Sequence, residues 1–187
     1  HGQATLTQRK FYRVTGGSTQ NKGVIPDIRL VDIYNEEFGE RKAKNALKWD
    51  TIPTAPFKRE GSVQPYVAKL NQTSGQRVAT DPQFKYLETR KTLAKKSADE
   101  KKVVLDIDQR RAELVDLEKQ TLDAENQRRA ATGQPPYANW ESYQASIDAL
   151  VESRAKMKAH LRPPLPEEEA FITEAANVLL DYAALQG

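Results

Sequence analysis

Residues 10–28, Lys-Phe-Tyr-Arg-Val-Thr-Gly-Gly-Ser-Thr-Gln-Asn-Lys-Gly-Val-Ile-Pro-Asp-Ile, bring a strand pattern, a glycine turn and a proline-stiffened exit into one short stretch. No single regular element can hold all three. Gly16-Gly17 supplies positive-φ freedom and Gly23 a second bend, while Pro26 fixes its own φ and biases Ile25 toward extended geometry. Over residues 5–14 the side chains alternate, with Leu6, Tyr12 and Val14 on one side and Thr5, Thr7, Arg9, Phe11 and Arg13 on the other, the period of a strand. Residues 24–33 read as a second short strand, which Pro26 places at a sheet edge or a strand end.

The rest of the chain follows a different rule. Residues 34–60 form a connector in which Trp49, between Pro-poor and Pro-rich halves, reads as an anchor pinning the connector to a neighbouring surface. Beyond residue 60 the apolar positions recur at helical spacing and predict five helices. The first carries Val63, Tyr66, Val67 and Leu70, and Asp81-Pro82 caps a second that holds Phe84, Leu87, Leu93 and Ala94. A brief extended piece at 103–107 precedes a polar helix over 108–132, stopped by Gly133 and Pro135-Pro136. A fourth helix over 141–161 carries Tyr143, Ile147, Leu150, Val151, Met157 and Leu161. The last helix begins at Glu167-Glu168-Glu169, whose charge suits a helix N-terminus. Its Phe171, Ile172, Ala175, Val178, Leu179 and Tyr182 make the broadest apolar face in the chain, fit for core or an interface. The expected fold class is therefore mainly α with a small β portion: a β segment at 1–33, a connector at 34–60 and a helical domain at 61–187.

Composition narrows the function classes. With 29 basic against 26 acidic residues the two signs nearly cancel, so the net charge of +3 is no nucleic-acid signature. The densest basic stretch, Lys85 to Lys102, is interleaved with Glu88, Asp99 and Glu100 and reads as a solvated helix face. There is no cysteine, which excludes disulfides, thiolate metal sites and a cysteine nucleophile. No apolar run reaches the roughly 18 residues that would span a bilayer, and the first residues form no signal peptide, so an exported parent would carry its targeting segment elsewhere.

The sequence offers few complete chemical motifs. Ser153-Arg154-Ala155-Lys156 has the S-x-x-K spacing that sets a lysine base one helical turn from a serine nucleophile, but the companion S-D-N and K-T-G elements are absent. His1 and His160 sit in no ligand-spaced cluster, so no metal and no cofactor is expected. Residues 16–22 suggest a phosphate loop without the glycine that must precede its lysine; a tight turn explains them. Asn71-Gln72-Thr73 is a glycosylation sequon lying in an expected helix.

Lys10-Phe11-Tyr12-Arg13, Gly16-Gly17-Ser18-Thr19-Gln20, Gly23-Val24 and Pro26-Asp27-Ile28 closely resemble a segment of the bacterial tail-specific, or carboxy-terminal processing, serine proteases. Asn45-Ala46-Leu47 with Trp49-Asp50 and Ile52 looks like that family's connector, save that Lys48 stands where proline is expected. Glu174-Ala175 with Asp181 looks like its last helix. The resemblance makes Phe11, Arg13, Gly16, Gln20, Gly23, Pro26, Asp27, Trp49 and Asp50 family-motif positions of structural kind. It implies a periplasmic parent that cuts proteins recognised through apolar C-terminal tails by a PDZ module, using a serine nucleophile and a lysine base. Those elements lie upstream of the matched segment in the family, so no catalytic residue is carried over to this chain. The partners so implied are the catalytic core and PDZ module of the parent, its protein substrates, and an adaptor or a second copy. The alternative is a helical binding or self-association module with no protease role.

Overall fold

The computed structural model describes residues 9–31, 43–100, 102 and 104–187. Five helices account for most of them: α1 (Gln64–Thr80), α2 (Pro82–Asp99), α3 (Ile107–Ala131), α4 (Trp140–Lys156) and α5 (Pro166–Gln186). The chain is mainly helical, as its patterning predicts. It forms two compact units, one of residues 1–29 and 36–68 and one of residues 30–35 and 69–187.

In the first unit the β portion consists of two antiparallel bridges among the described residues, Tyr12 with Ser18 and Gly17 with Thr51. Residues 11–19 fold back on themselves, with Arg13 N–H donating to Gly17 O at 2.9 Å and Thr19 N–H to Phe11 O at 3.1 Å. The connector then lies along this turn: Ser18 N–H donates to Asp50 O at 3.0 Å and Ile52 N–H to Gly16 O at 2.9 Å. Residues 5–8 of the first expected strand, and 32–33 of the second, lie outside the described residues. Residues 24–31 make no β pairing. Their sequence reads as a strand because it is apolar and proline-stiffened, but Leu30 and Val31 spend that apolar surface on the helical core of the second unit.

Helix starts in the second unit follow the capping residues. Asp81 Oδ1 accepts from the backbone of Gln83 at 2.7 Å and Phe84 at 3.3 Å, satisfying the first free donors of α2. Asp106 does the same for α3 through Asp108 and Gln109. Asn139 and Ser142 exchange side-chain and backbone bonds at the start of α4. At α5 the Glu168 carboxylate accepts from Leu165 N–H at 2.7 Å.

The fourth helix is shorter than its pattern suggests, ending at Lys156 before a single 3-10 turn at Ala159–Leu161. Met157 turns extended with ψ 147°. The proline-rich segment folds back on this end: Arg162 Nε donates to Met157 O at 3.3 Å, and the Arg154 guanidinium bonds Pro163 O. The Arg162 side chain thus takes up the Met157 carbonyl that further helix would have used.

The core is small. Phe84, Tyr86 and Leu87 of α2 pack with Ala124 of α3 and Ala170 of α5, joined by Val78 and Phe171. The Phe84 and Phe171 rings meet edge to face at 5.8 Å. At the α3–α4 corner the Asn126 side chain holds the backbone of Tyr137 from both sides, at 3.0 and 2.7 Å, while the Tyr143 ring packs on Tyr137 and Trp140.

Candidate functional site

The family-motif residues fall into two groups in the first unit. Gly16, Trp49 and Asp50 come together where the connector crosses the turn. Gly16 adopts φ +86°, and a Cβ there would sit 2.1 Å from the Ile52 carbonyl oxygen, so two independent constraints demand glycine. Trp49 Nε1–H donates to Ser18 O at 2.8 Å, and the Lys22 ammonium lies 3.5 Å from the centroid of its ring. The indole thus anchors the connector, as a lone tryptophan in such a stretch suggests.

Asp50 is the centre of a polar cluster. Lys10 Nζ reaches its Oδ2 at 3.0 Å and Lys48 O at 2.7 Å, and Tyr12 Oη donates to both carboxylate oxygens at 3.1 and 3.2 Å. The Lys10 hydrogen bond holds the Asp50 carboxyl below its ordinary range against a desolvation effect of opposite sign. Desolvation first, and then Asp50, push the Tyr12 phenol upward. Lys10 and Tyr12 escaped the list of motif positions, although their equal parity in the alternating pattern places them on one side of the chain.

The remaining motif residues stand apart from this crossing. Phe11 is 71% exposed, and Arg13 holds the turn through its backbone alone. Gln20 N–H donates to Ser18 Oγ at 3.0 Å, yet its side-chain Nε2 is buried with no hydrogen-bond partner among the described residues, as is Oδ1 of Asn21. Gly23, at φ +61°, donates to Thr19 O at 2.8 Å and closes the turn. Beyond the Pro26 exit, Asp27 accepts from Gln64 Nε2 at 3.1 Å.

In the second unit Glu174 and Asp181 of α5 prove to share one partner. Arg77 of α1 forms a fork on Glu174, with Nη2 at 2.8 Å and Nε at 3.0 Å, while its Nη1 reaches Asp181 at 2.7 Å. Burial raises the Glu174 carboxyl, but hydrogen bonds from Arg77 and Ser74 with the Arg77 charge outweigh it and leave the group below its ordinary value. Arg77 is correspondingly raised, chiefly by the hydrogen bond to Glu174. Two acids seven residues apart fall on one helix face, which is the sequence signal for a shared cation. A second buried pair joins Arg128 and Glu125 at 2.6 Å, with Gln83 bonded to Arg128 Nη1 and Tyr86 beneath the guanidinium.

Nothing in these clusters assembles a nucleophile with a base. Ser153 and Lys156 are exposed on α4, and Lys156 Nζ bonds Glu152 at 2.6 Å rather than the serine. A cavity of about 400 Å³ opens between α2, α3 and the start of α5, with Leu87, Leu93, Ala94 and Leu117 as its apolar lining. Its charged residues, Arg90 and Glu167, are paired to each other at 3.0 Å. No group of three or more metal-ligating side chains occurs among the described residues. Among the described residues no helix is long and apolar enough to cross a membrane.

A tail-specific protease from Haemophilus influenzae is 39% identical over 117 residues, a stretch covering 60% of this chain and 17% of the relative. The chain thus spans a small fraction of that relative's length. Residues 33–184 match the family described as the C-terminal domain of tail-specific protease, a span that begins after the glycine-proline segment and takes in the connector, the first four helices and α5 as far as residue 184. This chain belongs to the family of C-terminal domains of tail-specific proteases.

Proposed function

We propose that the chain is the non-catalytic C-terminal region of a tail-specific serine endopeptidase, a periplasmic enzyme that degrades or processes proteins by their apolar C-termini. The match of residues 33–184 carries the reading. In it the parent's serine and lysine lie outside this chain, with its PDZ module, and the helical unit braces the catalytic core. The first unit supports such a role. Phe11, Val14, Val24 and Ile25 are more than half exposed, as expected of a surface completed by further chain.

The test compares the purified chain with the full-length parent on a reporter ending in apolar residues. The parent cleaves it and the chain does not; in the parent, Ser153→Ala leaves cleavage intact. Cleavage by the chain that disappears with Ser153→Ala would overturn the reading and restore the S-x-x-K pair as a dyad. The second reading, a helical association module, is favoured by one observation: Ile172, Leu179 and Leu180 on the last helix face solvent.

A further inference from the structure

Helix α5 presents two apolar faces, and the core uses one. Ala170 and Glu174 are buried on the inner side, and Phe171, Val178, Asp181 and Tyr182 are half-buried there. Ile172, Ala175, Ala176, Leu179, Leu180 and Ala183 lie on the outer side, within an arc of about 140° at 100° per residue. Ile172 is 59% exposed, Leu179 67% and Leu180 69%. Over residues 170–180 the one charged side chain is Glu174, and it turns inward to Arg77. Three turns of outward surface therefore carry no charge, which is unusual for a helix that meets only water.

We propose that this face binds the same face of a second copy of the chain, the two α5 helices lying antiparallel about a two-fold axis. The inference deepens the association reading and does not depend on the protease reading. The residue order is self-complementary when the axis passes between Asn177 and Val178. Ile172 then faces Ala183 and Ala176 faces Leu179 along the seam, so each large side chain there meets a small one, while Ala175 and Leu180 flank the seam on opposite sides. Antiparallel packing also keeps the acidic Glu167–Glu169 clusters at opposite ends, whereas a parallel pair would stack them. The six residues expose on the order of 500 Å² per copy, so pairing would remove at most about 1,000 Å² in total, at the lower limit for a specific interface. A weak, concentration-dependent dimer is the result to look for.

The chain has no cysteine, which makes thiol cross-linking clean. Chains carrying Ala176→Cys and chains carrying Leu179→Cys, mixed under mild oxidation, should form a disulfide-linked heterodimer in preference to either homodimer. A Leu114→Cys control on α3 should not. Light scattering of the unmodified chain should show a dimer at high micromolar concentration, and Leu179→Glu should weaken it at least about tenfold. Unchanged helix content would show that this exposed variant still folds. A monomer at every concentration, a dimer indifferent to Leu179→Glu, or preferential Ala176→Cys homodimers would overturn the proposal. None of these outcomes bears on reporter cleavage by the parent, so the two readings fail separately.

Discussion

The two units of this chain are held by different forces. Every buried hydrophobic side chain among the described residues, from Leu70 to Ala170, belongs to the helical unit. The first unit buries Ser18 instead, and is fastened by backbone bonds between residues 11–19 and 50–55, the Trp49 indole and the Asp50 cluster. Its large apolar residues, Phe11, Val14, Val24, Ile25, Ile52 and Phe57, face outward. Hydrogen bonds contribute little net stability because water competes for them, whereas apolar burial is the dominant favourable term. One unit therefore owns its core, and the other is a shaped polar framework whose apolar side chains are exposed.

The largest effect should come from the core. Leu87 is 1% exposed and touches the Phe84, Ala124 and Ala170 cluster, so Leu87→Ala should cost about 3 kcal/mol through lost burial and a residual cavity. Urea unfolding followed by helical circular dichroism reads this directly. A loss below about 1 kcal/mol would mean that the helical unit is loosely packed and that its contrast with the first unit is one of degree.

Next comes the Arg77 fork. Arg77→Met keeps the stem but strips the guanidinium from the buried Glu174, and should cost about 2 kcal/mol at neutral pH, since Ser74 still bonds the carboxylate and Arg77 is partly solvated. The acid dependence gives the sign. Because Glu174 titrates below its ordinary 4.5 in the folded protein, its contribution is complete above that value and is lost as pH falls through the depressed one. Without Arg77 the burial of Glu174 raises its titration, so the variant should lose less stability than the parent sequence on acidification. Parallel acid limbs in the two proteins would remove Glu174 from the account.

What could be read from sequence divides along the same line. Local rules worked where the deciding groups are neighbours: Asp81-Pro82 opens α2 and the glutamates open α5, whereas Asp106, read as part of an extended piece, turns out to cap α3. Long-range choices stayed hidden. Arg77 meets acids 97 and 104 residues away, and nothing near it announces which cation will serve them. Leu30 and Val31 look like strand because the run is apolar and proline-stiffened; their partners are helical side chains far along the chain. Helix α5 is apolar over so much of its circumference that periodicity could not say which side turns inward. In the motif segment, glycine at position 16 was legible as a turn, but the Ile52 carbonyl that excludes a Cβ there is not.

The smallest effect tests whether the polar framework stands alone. Trp49→Phe keeps an aromatic ring beneath Lys22 and removes one hydrogen bond, the 2.8 Å link from the indole to Ser18 O, across 31 residues of sequence. A bond of this kind contributes about 1 kcal/mol, so opening of the crossing should become about fivefold easier. Hydrogen exchange can see this at Ser18 N–H, bonded to Asp50 O, and at Ile52 N–H, bonded to Gly16 O. Both amides should exchange about fivefold faster while the urea midpoint of the helices stays fixed. If the helical midpoint moves as well, the framework and the core unfold as one body, and the exposed apolar side chains of the first unit no longer mark a piece stabilised by hydrogen bonds alone.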